Sequence, residues 1–219
     1  MAREKLIPFL KKLKSNNNKE WFDKNRADYD MLREEMIGLM GEIVKKFGKI
    51  DTTIASTDPR KSIFRINRDV RFSKDKAPYK TNMGGYMADG GKKSPKGGYY
   101  LHLEPGNCFL AGGIWMPEPE HLKKIRQEID YNGKELEKIL KSKEFKTYFN
   151  GLSEEEKLTR VPKDFDPGSS FAEYLKLKSF VVVHPFDDKL ISDPKLADYC
   201  TKVFKAVLPL NKFLNVAFD

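Results

Sequence analysis

Apolar residues recur at helical spacing through the first fifty positions, most clearly at Tyr29, Leu32, Met36, Leu39, Ile43 and Phe47, with charged residues between them. The pattern predicts a long amphipathic helix that Gly48 ends, preceded by a short helix set apart by Ser15-Asn16-Asn17-Asn18. The period then drops to two: Tyr99, Leu101 and Leu103 alternate with Tyr100, His102 and Glu104. Pro105-Gly106 marks a turn before the apolar run from Asn107 to Trp115, so residues 98–115 read as an antiparallel hairpin. Ile63 to Ile66 and Thr81 to Met87 are its expected neighbours in a sheet of about four or five strands.

After Pro117 and Pro119 the helical period returns through Leu122, Ile125 and Ile129, then Leu136, Ile139 and Leu140, then Phe145, Tyr148 and Phe149, which predicts three short helices. Ser153 and Glu156 have the spacing of a capping box, and Val161 to Gly168 is a proline-punctuated loop. Lys178 to His184 holds one more strand. Asp193-Pro194 should open a last helix that Pro209 kinks or ends. Helices, then strands, then helices is the order of an α+β fold, with N-terminal helices, a central mainly antiparallel sheet and C-terminal helices. Residues 1–219 are read as a single domain.

Hydrophobic residues make up 39% of the chain and aromatics 12%, enough for a real core, so disorder is not the expectation. The longest apolar runs, such as Phe180 to Val183, fall far short of the roughly 20 residues that cross a bilayer, and no membrane partner is expected. Leu6 to Leu10 is too brief for a secretory core. Cys108 and Cys200 have neither CxxC spacing nor disulfide density, which suits a reducing, cytoplasmic setting.

Charge is unevenly spread. Residues 60–100 hold eleven Lys/Arg against Asp69, Asp75 and Asp89, which is +8 of the total +9. The remaining 30 basic and 29 acidic residues describe an ordinary balanced surface. Within the basic segment Arg65, Arg68 and Arg71 recur at every third position, with Lys76 and Lys80 close behind. Arginine is suited to bidentate contact with phosphate or carboxylate, so these five residues are the candidate contacts for an anion. The competing reading is structural: Asp69, Asp75 or carboxylates on the N-terminal helices pair with the arginines and clamp strand to helix.

Asp89 to Gly98 has the glycines, lysines and serine of a phosphate loop, but Lys92 stands where GxxxxGK[ST] needs glycine, so a mobile hairpin loop is the reading. Three histidines without HExxH or paired spacing make a tightly bound metal unexpected, and no cofactor is expected. His102, on the polar face of its strand, and Asp69 are the acid–base candidates. Cys108 sits beside Phe109 in an apolar strand, where thiols are packed and inert, and no GxSxG elbow is present.

The run from Arg65 through Lys80, with Phe64 before it and Thr81-Asn82 after it, resembles the signature of the uncharacterised family called domain of unknown function 2461. The opening Asn16-Asn17-Asn18-Lys19-Glu20-Trp21-Phe22 is similar to the same family's start. The resemblance covers nearly the whole chain and implies one domain. It carries no activity, cofactor or site residue. The leading expectation is therefore a binding or catalytic domain for a phosphorylated or other anionic small molecule, built on the basic segment. The second is nucleic-acid binding through the same segment, where Phe64, Phe72, Tyr79, Tyr86, Tyr99 and Tyr100 interleave with the cations. The third is a protein-interaction or structural module with a basic face.

Overall fold

The computed structural model describes residues 2–218. Its elements run α1 (Leu6–Ser15), α2 (Lys19–Lys24), α3 (Arg26–Phe47), α4 (Pro59–Ser62), β1 (Met83–Ala88), β2 (Gly98–Leu103), β3 (Cys108–Ile114), α5 (Pro119–Lys141), α6 (Lys143–Lys146), α7 (Ala172–Leu175), β4 (Phe180–Phe186) and α8 (Leu196–Asn215). The strands form one antiparallel sheet in the order β1-β2-β3-β4, with α5 to α7 inserted between β3 and β4, so the architecture is α+β with helices at both ends of the chain. Among the described residues no helix is long and apolar enough to cross a membrane.

The chain divides into two compact units, one holding the chain up to Met87 with Tyr100–Leu110 and Pro185–Thr201, the other Ala88–Tyr99, Ala111–His184 and the chain from Lys202. In the first, α1 and α3 bury the apolar stripes read from the sequence: Leu6, Phe9, Leu10 and Leu13 on α1, and Tyr29, Leu32, Met36, Leu39, Met40, Ile43 and Phe47 on α3. Strand β1 approaches α3 closely at Gly85, where a Cβ would come within 2.5 Å of Met40 Sδ.

Three consecutive asparagines organise this unit, each in a different way. Asn16 donates from Nδ2 to the Lys12 carbonyl at 2.9 Å, closing the end of α1. Asn18 caps α2 by accepting from the Trp21 amide at 2.9 Å. Asn17, between them, pairs with the backbone of Tyr79: its Nδ2 donates to the Tyr79 carbonyl at 2.9 Å and its Oδ1 accepts from the Tyr79 N–H at 3.0 Å. The Tyr79 ring stacks on Phe22 of α2 at 4.0 Å, with the planes 17° apart.

Residues 63–66, for which a strand is predicted, are extended but pair only through isolated bridges, Ile63 with Gly85 and Asn67 with Tyr79. Around the second bridge Lys80 N donates to Ile66 O at 2.8 Å and Arg68 N donates to Pro78 O at 2.9 Å. Pro78 has no N–H to return, so the ladder stops there and residues 68–77 loop out.

In the second unit the helical run after Pro119 falls into three pieces, as the spacing predicts: α5 is broken by a non-helical residue at Asn132, and α6 follows from Lys143. Gly133 lies against the Phe171 ring, where a Cβ would be 2.4 Å away, so the kink coincides with a packing contact. The Ser153–Glu156 pattern opens no helix. The Ser153 N–H donates to Val181 O at 2.8 Å and is thus taken from the reciprocal bond a capping box needs. Pro209 lies inside α8, which runs on to Asn215 because Leu210, Phe213 and Leu214 beyond it are buried.

The Asn17 clamp yields the first prediction. Asn17→Ala leaves the N–H and C=O of buried Tyr79 without these partners and should cost about 1–3 kcal/mol. Urea denaturation should show a lower midpoint at an unchanged slope, whereas an unchanged midpoint would mean that the clamp is dispensable.

Candidate functional site

A cleft of about 360 Å³ lies between the start of α3 and the extended segment 63–67. Phe22, Tyr29, Ile63 and Ile66, all buried, supply its apolar floor. Arg26, Arg33 and Arg65, together with Asp30, Asn67 and Phe64, complete the lining. Three guanidinium groups against one carboxylate give it a net positive charge.

Helical geometry brings two of these arginines to the cleft. Arg26 and Arg33 are seven residues apart on α3, two turns along one face, with Tyr29 and Asp30 between them. Arg65 comes from the other side, on the segment tied down at Ile63 and Asn67. Their engagements differ. Arg26 is bonded to Asp23 at 3.0 Å and lies 5.2 Å from the centroid of the Phe22 ring. Asp23 also serves Lys19 at 2.9 Å, and the two cations hold its carboxyl below the usual range. Arg33 approaches Glu34 at 3.7 Å, but Glu34 is committed to Arg60 through two bonds of 2.8 Å. Arg65 has no hydrogen bond or ion pair among the described residues; Asp69 attracts it from beyond bonding distance. Each guanidinium carries five N–H donors, so most of the donor capacity around the cleft is unspent.

The basic cluster read from the sequence separates in space. Arg65 lines the cleft, while Arg68 turns into the 68–77 loop, bonding to Asp75 and donating to the Ala77 carbonyl at 3.1 Å. Arg71 makes a two-point pair with Asp69, Nε to Oδ1 at 2.9 Å and Nη2 to Oδ2 at 2.6 Å, and Lys76 donates to the Val70 carbonyl at 3.1 Å. Lys80 Nζ lies 5.5 Å from the centroid of the Phe64 ring. Asp69 is thus occupied by Arg71, which holds its carboxyl below the usual range. His102 lies on β2, hydrogen-bonded to Tyr100 and Glu104. Both residues of the structural reading, Asp69 and Asp75, do pair with arginines, but inside the loop; the ion pair that reaches a helix is Arg60–Glu34.

Arg26 and Arg33 lie outside the sequence-derived set. The available signal was their seven-residue spacing around Tyr29 on the polar side of the predicted helix. One sequence cannot tell such a pair from ordinary solvated charge, because most helices carry cations at that spacing.

The profile of one protein family, described as conserved hypothetical protein (DUF2461), matches residues 5–213. No curated protein and no solved structure gives a match.

The pairing pattern predicts that Arg68 orders its loop. Hydrogen bonds from the Ala77 N–H and from Arg68 lower the Asp75 pKa below its ordinary 3.8. A depressed carboxylate contributes order that is present above the ordinary value and lost as pH falls through the folded one. Protection of the amides of residues 69–77, taken relative to the unstructured rate at the same pH, should therefore fall in Arg68→Ala at neutral pH and fall in the unaltered protein below about pH 4. Exchange that ignores both changes would contradict the assignment.

Proposed function

This chain belongs to the DUF2461 family of conserved hypothetical proteins, and from that premise we propose that it binds a phosphorylated or other anionic small molecule in the arginine-lined cleft. The observation that carries the reading is Arg65, a cleft-lining guanidinium without a hydrogen bond or ion pair among the described residues, facing two further arginines across an apolar floor. Planar N–H forks suit the oxygens of phosphate or carboxylate, and an apolar floor strengthens their field by excluding water. A volume of about 360 Å³ falls within the range of small-molecule sites. Asp30 and Asn67 add an acceptor and an amide that can select for hydroxyls beside the charged group.

One observation favours nucleic acid as a second reading. Phe72 is 94% exposed at the far end of the 68–77 loop, with the Arg71 guanidinium 5.8 Å from its ring centroid. An exposed ring beside cations is a platform on which an unpaired base can stack.

A thermal-shift series separates the two. Phosphate, nucleotides and sugar phosphates are added to the protein at low and moderate salt; a ligand at about 100 times its Kd stabilises the fold by about 2.7 kcal/mol. The cleft reading predicts a selective shift that Arg65→Ala and Arg33→Ala each remove, with melting of the ligand-free variants changed by no more than about 2 °C. A shift that survives both substitutions would overturn it. Binding of a short oligonucleotide that falls steeply with salt and is lost in Phe72→Ala would instead support the second reading.

A further inference from the structure

The two-residue period of β2 places Tyr100 and His102 on one face of the strand, and Glu104, the residue just past its end, follows at the same spacing. Their side chains are joined end to end: the Tyr100 hydroxyl is 2.8 Å from His102 Nδ1, and His102 Nε2 is 3.3 Å from Glu104 Oε2. Glu104 is fixed from its other side by the Thr81 hydroxyl, which donates to Oε1 at 3.0 Å, and by the Asn107 amide, which donates to Oε2 at 3.1 Å. Phe109 of β3 stacks on the imidazole at 4.4 Å with the planes 12° apart. The ring is thereby held in line with both neighbours.

Proton positions follow from the partners. Burial works against an ionised Glu104, but hydrogen bonds from Asn107, His102 and Thr81 together outweigh it and hold the carboxyl below its usual range. A carboxylate only accepts, so His102 donates to it from Nε2, and the Nδ1 of a neutral ring then accepts the Tyr100 proton. Burial keeps that ring neutral by lowering its pKa from the ordinary 6.5, against the opposing pull of Glu104. Burial and Glu104 raise the Tyr100 phenol to about 12, so only about one molecule in 10⁵ is ionised at pH 7. Such a phenol reacts only if a base takes its proton during the reaction itself, and a base stands at hydrogen-bond distance.

The hydroxyl packs against Gly84 of β1, where a Cβ would come within 2.5 Å of the phenolic oxygen, and Tyr100 itself is only half-buried. Phe64, 40% exposed, meets the Tyr100 ring edge-on at 6.0 Å. Among the described residues the charged group that acts on Tyr100 and His102 is Glu104; Gly84 and Phe109 on the flanking strands bring none.

A nucleophile within reach of a base that a third group orients is the arrangement of covalent catalysis. We propose that Tyr100 is a nucleophile activated by His102 and oriented through Glu104, forming a site that accepts a small activated ester. The phenolic oxygen bonds to the electrophilic centre while its proton passes to His102 Nδ1. Glu104 stabilises the imidazolium that results, and the ester's leaving oxygen departs with the bonding electron pair. The site is separate from anion binding in the cleft and shares with it only Phe64.

An aryl sulfonyl fluoride tests the assignment directly, because its sulfur bonds to the phenolic oxygen as fluoride leaves and the proton moves to His102. Labelling of the full chain is followed residue by residue by peptide mass spectrometry, with Tyr131, 81% exposed, as the internal reference. Tyr100 should react about 100-fold faster than Tyr131 and lose most of that advantage in His102→Gln. In the unaltered protein its rate should be level at neutral pH and fall on acidification as His102 protonates below pH 6.5. Labelling no faster than at Tyr131, or a rate that climbs without a plateau toward the phenol's own ionisation near 12, would overturn the proposal. The pH profile needs no substitution and so does not depend on any variant folding.

Discussion

The cleft depends on one side chain acting as a piece of backbone. Asn17 offers an amide donor and acceptor to the N–H and C=O of Tyr79, as a neighbouring strand would, and so holds a point 62 residues away in sequence against the N-terminal helices. Tyr79 then does two things. Its ring stacks on Phe22, which is part of the cleft floor, and its backbone pairs with Asn67, which fixes the segment carrying Arg65. Loss of the clamp would free both sides of the cleft at once. The two stretches that carry the family resemblance, Asn16 to Phe22 and Arg65 to Lys80, are the two that meet here.

Pairing decides which cations are available. Arg68, Arg71 and Lys76 spend their donors on Asp75, Asp69 and a loop carbonyl, so three cations of the segment are engaged inside their own loop. These are exposed contacts, and exposed ion pairs add little to global stability. Their effect is local: they shape the loop. The positive charge of the cleft comes instead from Arg65 and from two arginines of α3 whose carboxylates are shared or committed elsewhere. A count of charge along the chain and a map of unspent donors in space therefore point to different residues.

The fold class was legible because apolar periodicity is a local signal: α3, the β2–β3 hairpin and α8 each follow from spacing alone. The departures have tertiary causes. The Ser153 amide is taken by Val181, the pairing of Asn67 with Tyr79 goes no further than Arg68 because Pro78 has no N–H, and α8 passes Pro209 because the residues beyond it are buried. The candidate cleft was half legible. Arg65 was singled out by composition, but Arg26 and Arg33 acquire meaning only once residues 63–67 lie opposite them. The alternation in β2 likewise put His102 on a polar face with Tyr100 and Glu104, while the order of the hydrogen bonds that join them required coordinates.

The most direct measurement is a crystal soaked with tungstate, a tetrahedral anion whose anomalous signal marks its position without assumptions about the ligand. The account predicts a peak in the cleft within hydrogen-bond distance of Arg65 and of Arg26 or Arg33, lost in Arg65→Ala. Tungstate bound instead along the 68–77 loop, or an empty cleft at concentrations that occupy other sites, would contradict it.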